Sequence, residues 1–358
     1  MNRKLNVGVL GATGMVGQRF VSLLEGHPWF TVTAVAASAS SAGKKYSEAV
    51  ADRWALADAM PSRVGALVVQ DASAIEAIAS KVDFVFCAVD MAKDATRELE
   101  DAYAKRDIPV VSNNSAHRAT PDVPMMIPEV NPEHVALIEA QRKRLGTKRG
   151  FVAVKPNCSL QSYVPAIHPL RAYGPRTIVV ATYQAISGAG KTFASWPEMT
   201  DNVIPFIKGE EEKSEQEPLK IWGTVSGGAI ALANAPTISA HCLRVPVSDG
   251  HMAAVSIKLD KKPPRDEVIA RWREFSGRPQ QLALPSAPKP FLEYFTDDAR
   301  PQTRTDRDLG RGMAVAIGRL RDDTVLDYKF VALSHNTVRG AAGGAILTAE
   351  LLAADGYL

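Results

Sequence analysis

Leu5-Asn6-Val7-Gly8-Val9-Leu10 runs straight into Gly11-Ala12-Thr13-Gly14-Met15-Val16-Gly17, and the reading of this stretch decides the fold. The first part is a short apolar run and predicts a buried strand. Val16 to Leu24 repeats its apolar residues with a helical period. Strand, glycine turn and helix in that order are the context in which such glycines serve a dinucleotide. The backbone has to turn tightly and let a pyrophosphate approach the N–H groups at the helix start. The spacing is G-x-x-G-x-x-G rather than G-x-G-x-x-G, so the weight falls on the N-terminal position and on a following strand, Thr31 to Ala36. The bland alternative is a tight turn with no ligand.

Working outward, the second strand leads into Ala37-Ser38-Ala39-Ser40-Ser41-Ala42-Gly43-Lys44-Lys45. An NAD enzyme carries an acid here for the ribose 2′-hydroxyl. This chain offers hydroxyls and lysines instead, which suit a 2′-phosphate, so Ser38, Ser41 and Lys44 point to NADP; the competing reading is a solvated polar loop. Val82 to Val89 and Ile108 to Ser112 read as further core strands, with a helix from Ala92 to Arg106 between them. Such alternation gives an open parallel sheet that binds ligands beyond the carboxyl ends of its strands. Asn113 to Arg118 falls there. Ala119 to Asn131 is proline-rich and irregular, a lid or crossover, and Pro132 to Arg144 is helical in pattern.

A second stretch carries the chemistry: Lys155-Pro156-Asn157-Cys158-Ser159. The strand Phe151 to Val154 arrives at it and a helix-compatible run, Leu160 to Leu170, leaves it. Pro156 stops the strand and Asn157 offers a cap. Cys158 in a first helical turn would meet unpaired N–H groups and the positive dipole end, which favour a reactive thiolate. The rival reading is a small buried hydrophobe, the expected role of Cys87 and Cys242.

Past Cys158 the texture changes. Thr177 to Ala185, Thr237 to Val247, Ala253 to Leu259, Gly312 to Ile317 and Val325 to Leu333 read as strands, with a helix from Asp266 to Phe275. This predicts a mixed, largely antiparallel sheet in a second, α+β domain. Ser195 to Ile207 reads as an amphipathic or packing segment and Gly209 to Glu217 as a solvated helix face. Val338 to Leu352 is a small-residue helix suited to close packing on the first domain. The division expected is residues 1–157, completed by residues 336–358, and residues 158–335. His251, after a strand end and turn, is the best-placed acid–base partner for the thiol. His241 is expected to pack. Arg244 is a fork for a carboxylate, and Gln184 a group to orient a carbonyl or water.

Bulk properties exclude other classes. The chain has 358 residues, 46% hydrophobic and 23% charged, with a net charge of +3 that gives no case for nucleic acid. No apolar stretch is long enough to span a bilayer. Three scattered cysteines argue against a disulfide framework and fit the reducing cytoplasm, and no clustered His/Cys pattern suggests a metal.

Several motifs in order resemble the aspartate-β-semialdehyde dehydrogenase family, in particular its archaeal and fungal branch. They are Gly11 to Gly17, Ser41 to Tyr46, Asn113 to Arg118, Ile127 to His134, Lys155 to Ser159, Gln184 to Lys191, Gly209 to Lys213, Arg244 to His251 and His335 to Gly343. The resemblance implies an α/β fold, with an N-terminal Rossmann-like parallel-sheet domain plus a C-terminal α+β mixed-sheet catalytic and dimerisation domain. It implies NADPH-dependent reductive dephosphorylation of L-aspartyl-4-phosphate to the semialdehyde through a Cys158 thioester, on the route to lysine, threonine and methionine. His251 would be the acid/base and Gln184 would position the thioester. Arg244 would clamp the substrate carboxylate and Glu210 its ammonium, while Lys213, Arg118 and Asn114 would hold phosphate. Cofactor contacts would come from Gly11, Ala12, Thr13, Gly14, Met15, Val16, Ser38, Ser41, Lys44, Ala88, Ser187, Gly188 and Asn336. The expected partners are a small-molecule substrate, phosphate and further copies of the chain, as a homodimer or homotetramer.

The chain also departs from the family pattern. Ser40 stands where an arginine is expected, removing one 2′-phosphate contact, and Cys87-Ala88-Val89-Asp90 replaces Ser-Ala-Leu-Pro. Rival readings are malonyl-CoA reductase or another acyl reductase of the same fold, and a non-enzymatic dinucleotide sensor.

Overall fold

The computed structural model describes residues 3–358. The N-terminal half builds a parallel sheet from β1 (Leu5–Leu10), β2 (Phe30–Ala37), β3 (Gln70–Asp71), β4 (Phe84–Cys87), β5 (Val110–Ser112) and β6 (Val152–Val154). The spatial order is β3-β2-β1-β4-β5-β6, every neighbour parallel. The order reverses between β1 and β4, which opens a crevice at their carboxyl ends, the place where such sheets bind dinucleotides. Helices cover both faces, so the strands are apolar throughout. Val7, Val9, Leu10, Phe84, Val85 and Phe86 are fully buried, and Phe86 stacks on Phe20 of α1 (Met15–Leu23), ring centroids 4.7 Å apart. The helices α2 (Lys93–Lys105) and α3 (Leu137–Leu145) complete this half.

The second half follows α4 (Leu160–Ile167) and β7 (Pro175–Gln184). After α5 (Glu210–Ile221) come a small hairpin, β8 (Thr224–Ser226) and β9 (Ala229–Ala231), then β10 (Thr237–Arg244) and β11 (His251–Leu259). Next are α6 (Arg265–Glu274), β12 (Leu292–Phe295), β13 (Val315–Asp322), β14 (Tyr328–Ser334) and α7 (Gly343–Ala354). The sheet order is β10-β7-β11-β14-β13-β12. The β7–β11, β11–β14 and β13–β14 pairs are antiparallel; β10–β7 and β12–β13 are parallel. One face packs on α4 and α6, where Trp272 is fully buried. The other face is open: along β7, Ile178 and Val180 point inward while Val179 and Tyr183 are 44% and 37% exposed. Helix α7 is mostly apolar and buried, its fully buried Glu350 paired with His27 and Ser286; Ala345, Ile346, Ala349 and Leu352 join the first sheet's core with Phe20, Val21 and Phe151.

Several sequence-based expectations are corrected. Ala119 to Asn131 is no lid: residues 123–131 are buried, and Met125 bridges to Val154 beside β6. Ser195 to Ile207 is not a packing segment: Met199 alone is buried, and Val203 and Phe206 are 51% and 60% exposed. Gly209 to Glu217 is not a solvated face throughout, because on α5 Glu210 is buried against Asn157 and Gln184, and Ser214 against Cys242 and Tyr163. His241 does not pack; it stands on the open sheet face, its side chain 77% exposed. The strand expected from Gly312 starts at Val315, because Gly312 takes φ +76° in a turn.

Candidate active site

The site is organised by the loop between β6 and α4. Lys155 N–H still bonds to Ser112 O across the sheet, at 2.9 Å, and Pro156 then ends the ladder. Asn157 Oδ1 accepts from Ser159 N–H at 2.8 Å, an Asx turn that caps the approach to α4. Helical residues begin at Leu160, so Cys158 occupies the turn just before the helix rather than its first turn. From the other side α5 clamps this loop. Asn157 Nδ2 donates to both oxygens of Glu210, each at 2.9 Å, and Asn157 N–H donates to Glu217 Oε2 at 2.7 Å. Glu210 and Glu217 lie two helical turns apart on one face.

His251 opens β11 and is fully buried, and its Nε2 lies 3.5 Å from Cys158 Sγ. Its other nitrogen, Nδ1, accepts the Ala185 backbone N–H at 3.0 Å. A neutral ring must therefore carry its proton on Nε2, facing the sulfur. Burial, reinforced by the Arg244 charge, drives the imidazole down to about 3; Glu210 and the Gly250 carbonyl oppose this only in part. The Cys158 thiol is pushed up from its ordinary value, first by burial and then by Glu210, against the pull of Lys155, Arg118 and Arg244. The easy ionisation expected from a helix start is thus outweighed by desolvation.

Arg244, at the end of β10, is 6% exposed and donates Nη1 to Ala185 O at 2.7 Å. Gly188 permits this closeness: a Cβ there would sit 2.8 Å from Arg244 Nη1 and 3.1 Å from His251 Nε2. Gln184, from neighbouring β7, donates Nε2 to Glu210 at 3.2 Å. Glu210 also accepts from Lys213 Nζ at 2.8 Å. Burial alone would raise the Glu210 carboxyl, but Lys213, Asn157 and Gln184 together hold it below the ordinary range. Asn336 ties two loops together, accepting Gly250 N–H at 2.8 Å and donating to Ser187 Oγ at 2.9 Å. Cys158, His251, Gln184, Arg244, Glu210, Lys213, Ser187, Gly188 and Asn336 therefore meet at one cleft.

Two expected phosphate ligands are engaged elsewhere. Arg118 donates to Lys155 O, Glu217 and Asn113 O at 3.0, 3.0 and 3.2 Å, so each arm of its guanidinium braces the loop. Asn114 turns its amide to Glu100 and Cys87 at 3.1 and 3.3 Å. Three groups escaped sequence reasoning: Glu217, Lys155 and the double duty of Asn157. The seven-residue spacing of Glu210 and Glu217 was the available signal for the first.

The dinucleotide turn fits its ligand. Gly11 takes φ +78°, and a Cβ on it would lie 2.2 Å from Ala88 O; one on Gly17 would lie 2.1 Å from Gly11 O. Those two glycines bring α1 against β1 and the β4 loop. At Gly14 a Cβ would meet only Gly11 O, 3.6 Å away, which leaves an open cradle at the α1 N-terminus for an anion. Ala12 O is held by Tyr46 OH at 2.9 Å, while Thr13, Met15 and Val16 edge the opening. Ser38 and Lys44 are exposed beyond β2, Ser41 is buried, and no acid lies between Ala37 and Lys45. Among the described residues no cluster of His, Cys, Asp or Glu could hold a metal, and no helix is long and apolar enough to cross a membrane.

Comparison with known proteins follows the same lines. The family model described as "Semialdehyde dehydrogenase, NAD binding domain" matches residues 6–138, and that described as "Semialdehyde dehydrogenase, dimerisation domain" matches residues 167–339. The aspartate-semialdehyde dehydrogenase of Archaeoglobus fulgidus is 44% identical over 98% of both chains. That of Aspergillus fumigatus is 43% identical over 99% of both. Among solved structures, the Candida albicans aspartate-semialdehyde dehydrogenase with NADP superposes with a TM-score of 0.89 at 37% identity, covering 99% of this chain and 100% of that one.

Proposed function

The chain belongs to the aspartate-semialdehyde dehydrogenase family, and from that membership we propose how its residues divide the reaction. It is an NADP-dependent oxidoreductase that converts L-aspartyl-4-phosphate to L-aspartate 4-semialdehyde. Cys158 is the nucleophile: its sulfur attacks the acyl phosphate, phosphate leaves, and the acyl group stays as a thioester activated for reduction. The Gly14 cradle, with Ser38 and Lys44 beyond β2, would hold NADPH, whose chemistry when bound is hydride donation. His251 Nε2–H, facing the sulfur, donates to the oxygen that gains charge at the attacked carbon. Arg244 takes the substrate carboxylate, Glu210 its ammonium, and Gln184 orients the thioester. Lys213, with Asn114 and Arg118 once released from their present bonds, holds phosphate.

The Cys158–His251 approach carries this reading, with Arg244 and Glu210 beside it. Glu210 also favours an amino-acid substrate over malonyl-CoA, which has no ammonium for it to meet. Phosphate-dependent reduction of NADP⁺ by aspartate semialdehyde tests the assignment. Malonyl-CoA turnover without that activity would replace it.

The matched dimerisation domain makes the chain an oligomer-former. We assign the open face of the second sheet to a homodimer contact, with a dimer of dimers as the larger form. Residues 1–157 with 336–358 form the cofactor unit and residues 158–335 the catalytic one, and the enzyme works in the cytoplasm, where its free thiols stay reduced.

A further inference from the structure

The turn between β14 and α7 touches both members of the Cys158–His251 pair. Asn336 Oδ1 accepts the Gly250 N–H at 2.8 Å, one residue before His251. Further along, Gly340 lies against Cys158: a Cβ there would sit 2.9 Å from Cys158 Cβ and 3.3 Å from Cys158 O. Carbon atoms pack at about 3.5–4.0 Å, so only glycine fits here without a shift of Cys158. The turn is wound wider than an α-helix, with Gly340 N–H bonded to His335 O at 2.9 Å and Ala342 N–H to Thr337 O at 3.2 Å.

Arg339 holds this turn. It is fully buried and donates to Glu129 through Nη1 at 2.8 Å and Nη2 at 2.5 Å, and to Gln161 Oε1 through Nε at 3.2 Å. Phe291 covers the guanidinium, its ring centroid 4.6 Å away. Gln161 stands on α4, and its N–H bonds to Cys158 O at 3.3 Å. Arg339 thus ties three pieces together: the buried stretch that carries Glu129, the helix that follows Cys158, and the turn that backs onto it. A buried ion pair is weak as a source of stability, because desolvating both charges offsets their attraction; its best-attested use is to fix one arrangement among several.

We propose that Arg339 is a positioning residue for the reaction: by pinning the turn from Asn336 to Ala342 it fixes the 3.5 Å separation of Cys158 Sγ and His251 Nε2, and Gly340 is the contact through which it acts. This inference rests on Cys158 being the nucleophile. The turn grips the pair from both ends, through Gly250 on the histidine side and Gly340 on the sulfur side. The Arg339 guanidinium is spent on Glu129 and Gln161, so its loss costs rate rather than substrate binding.

The test is the steady-state kinetics of aspartate semialdehyde oxidation with NADP⁺ and phosphate in three variants, each with a thermal melt to confirm the fold. Gly340→Ala should lower kcat about tenfold or more while KM for aspartate semialdehyde stays within about twofold. Glu129→Gln combined with Arg339→Met removes the pin without leaving a carboxylate unpaired, and should give the same split. Gly8→Ala on β1, where a Cβ would lie 3.0 Å from Val85 Cγ1 inside the first domain, should lower the melt and leave kcat unchanged. An unchanged kcat in either folded turn variant, a loss confined to KM, or an equal loss of kcat in Gly8→Ala overturns the inference. Turnover that survives complete alkylation of Cys158 by iodoacetamide overturns the nucleophile assignment instead, so the two failures are told apart.

Discussion

At the residue scale, the distance between Cys158 Sγ and His251 Nε2, 3.5 Å, is a hydrogen bond for sulfur. What the pair can do depends on the groups behind it. Cys158→Ala should abolish turnover while the thermal melt stays within a few degrees of wild type; appreciable remaining turnover would remove Cys158 from its role. Arg244→Lys keeps the charge but loses the planar fork. One charge-assisted hydrogen bond is worth about 1.5–3 kcal/mol, so kcat/KM for aspartate semialdehyde should fall about 10- to 100-fold. An unchanged kcat/KM would show that the guanidinium does not hold the carboxylate.

At the scale of elements, the Cys158 loop is held by a helix as well as by its own Asx turn. Glu217 of α5 joins Asn157 N–H to Arg118, and Glu210 holds the Asn157 side chain. Glu217→Ala should therefore lower kcat about tenfold or more with little change in KM, since misplacing a nucleophile by a fraction of an ångström costs rate before it costs binding. A change confined to KM would assign Glu217 to substrate binding instead. The chain showed most of its strands and the glycine turn, because apolar runs and glycine spacing are local signals. It did not show the clamp. Glu210 and Glu217 sit in a charge run that reads as solvated until tertiary packing turns one face of α5 inward. Nor did it show that residues 123–131 are buried, since proline-rich irregular backbone looks alike inside and outside. His251 was legible as the partner of the thiol, but its proton state was not, because that depends on Ala185 N–H from another strand.

At the scale of the whole molecule, buried neutral histidines make the fold acid-sensitive. His168 is pushed down to about 4 by burial and then by Arg171, and its Nδ1 is buried without a partner among the described residues. The folded value lies below the unfolded one, so between about pH 6.5 and 4 the unfolded chain binds more protons. Stability is present above that window and is lost as pH falls through it. For His168 the loss at pH 5 is about 2 kcal/mol. His168→Phe should therefore melt higher than wild type at pH 5, with a smaller difference at pH 8; an equal difference at both would exclude titration as the cause. On the open face of the second sheet, Tyr183→Glu should dissociate the oligomer in sedimentation, because a carboxylate buried there would lack a partner. An unchanged sedimentation coefficient would move the contact elsewhere.

The claim on which the rest depends is that Cys158 carries the acyl group. Incubating the protein with aspartate semialdehyde and NADP⁺ without phosphate or arsenate, then following NADPH formation and the intact mass, tests it directly. The account predicts a burst of one NADPH per active site and an aspartyl adduct mapped to Cys158, discharged on adding phosphate and absent in Cys158→Ser. A burst without an adduct, or an adduct on another residue, would contradict it.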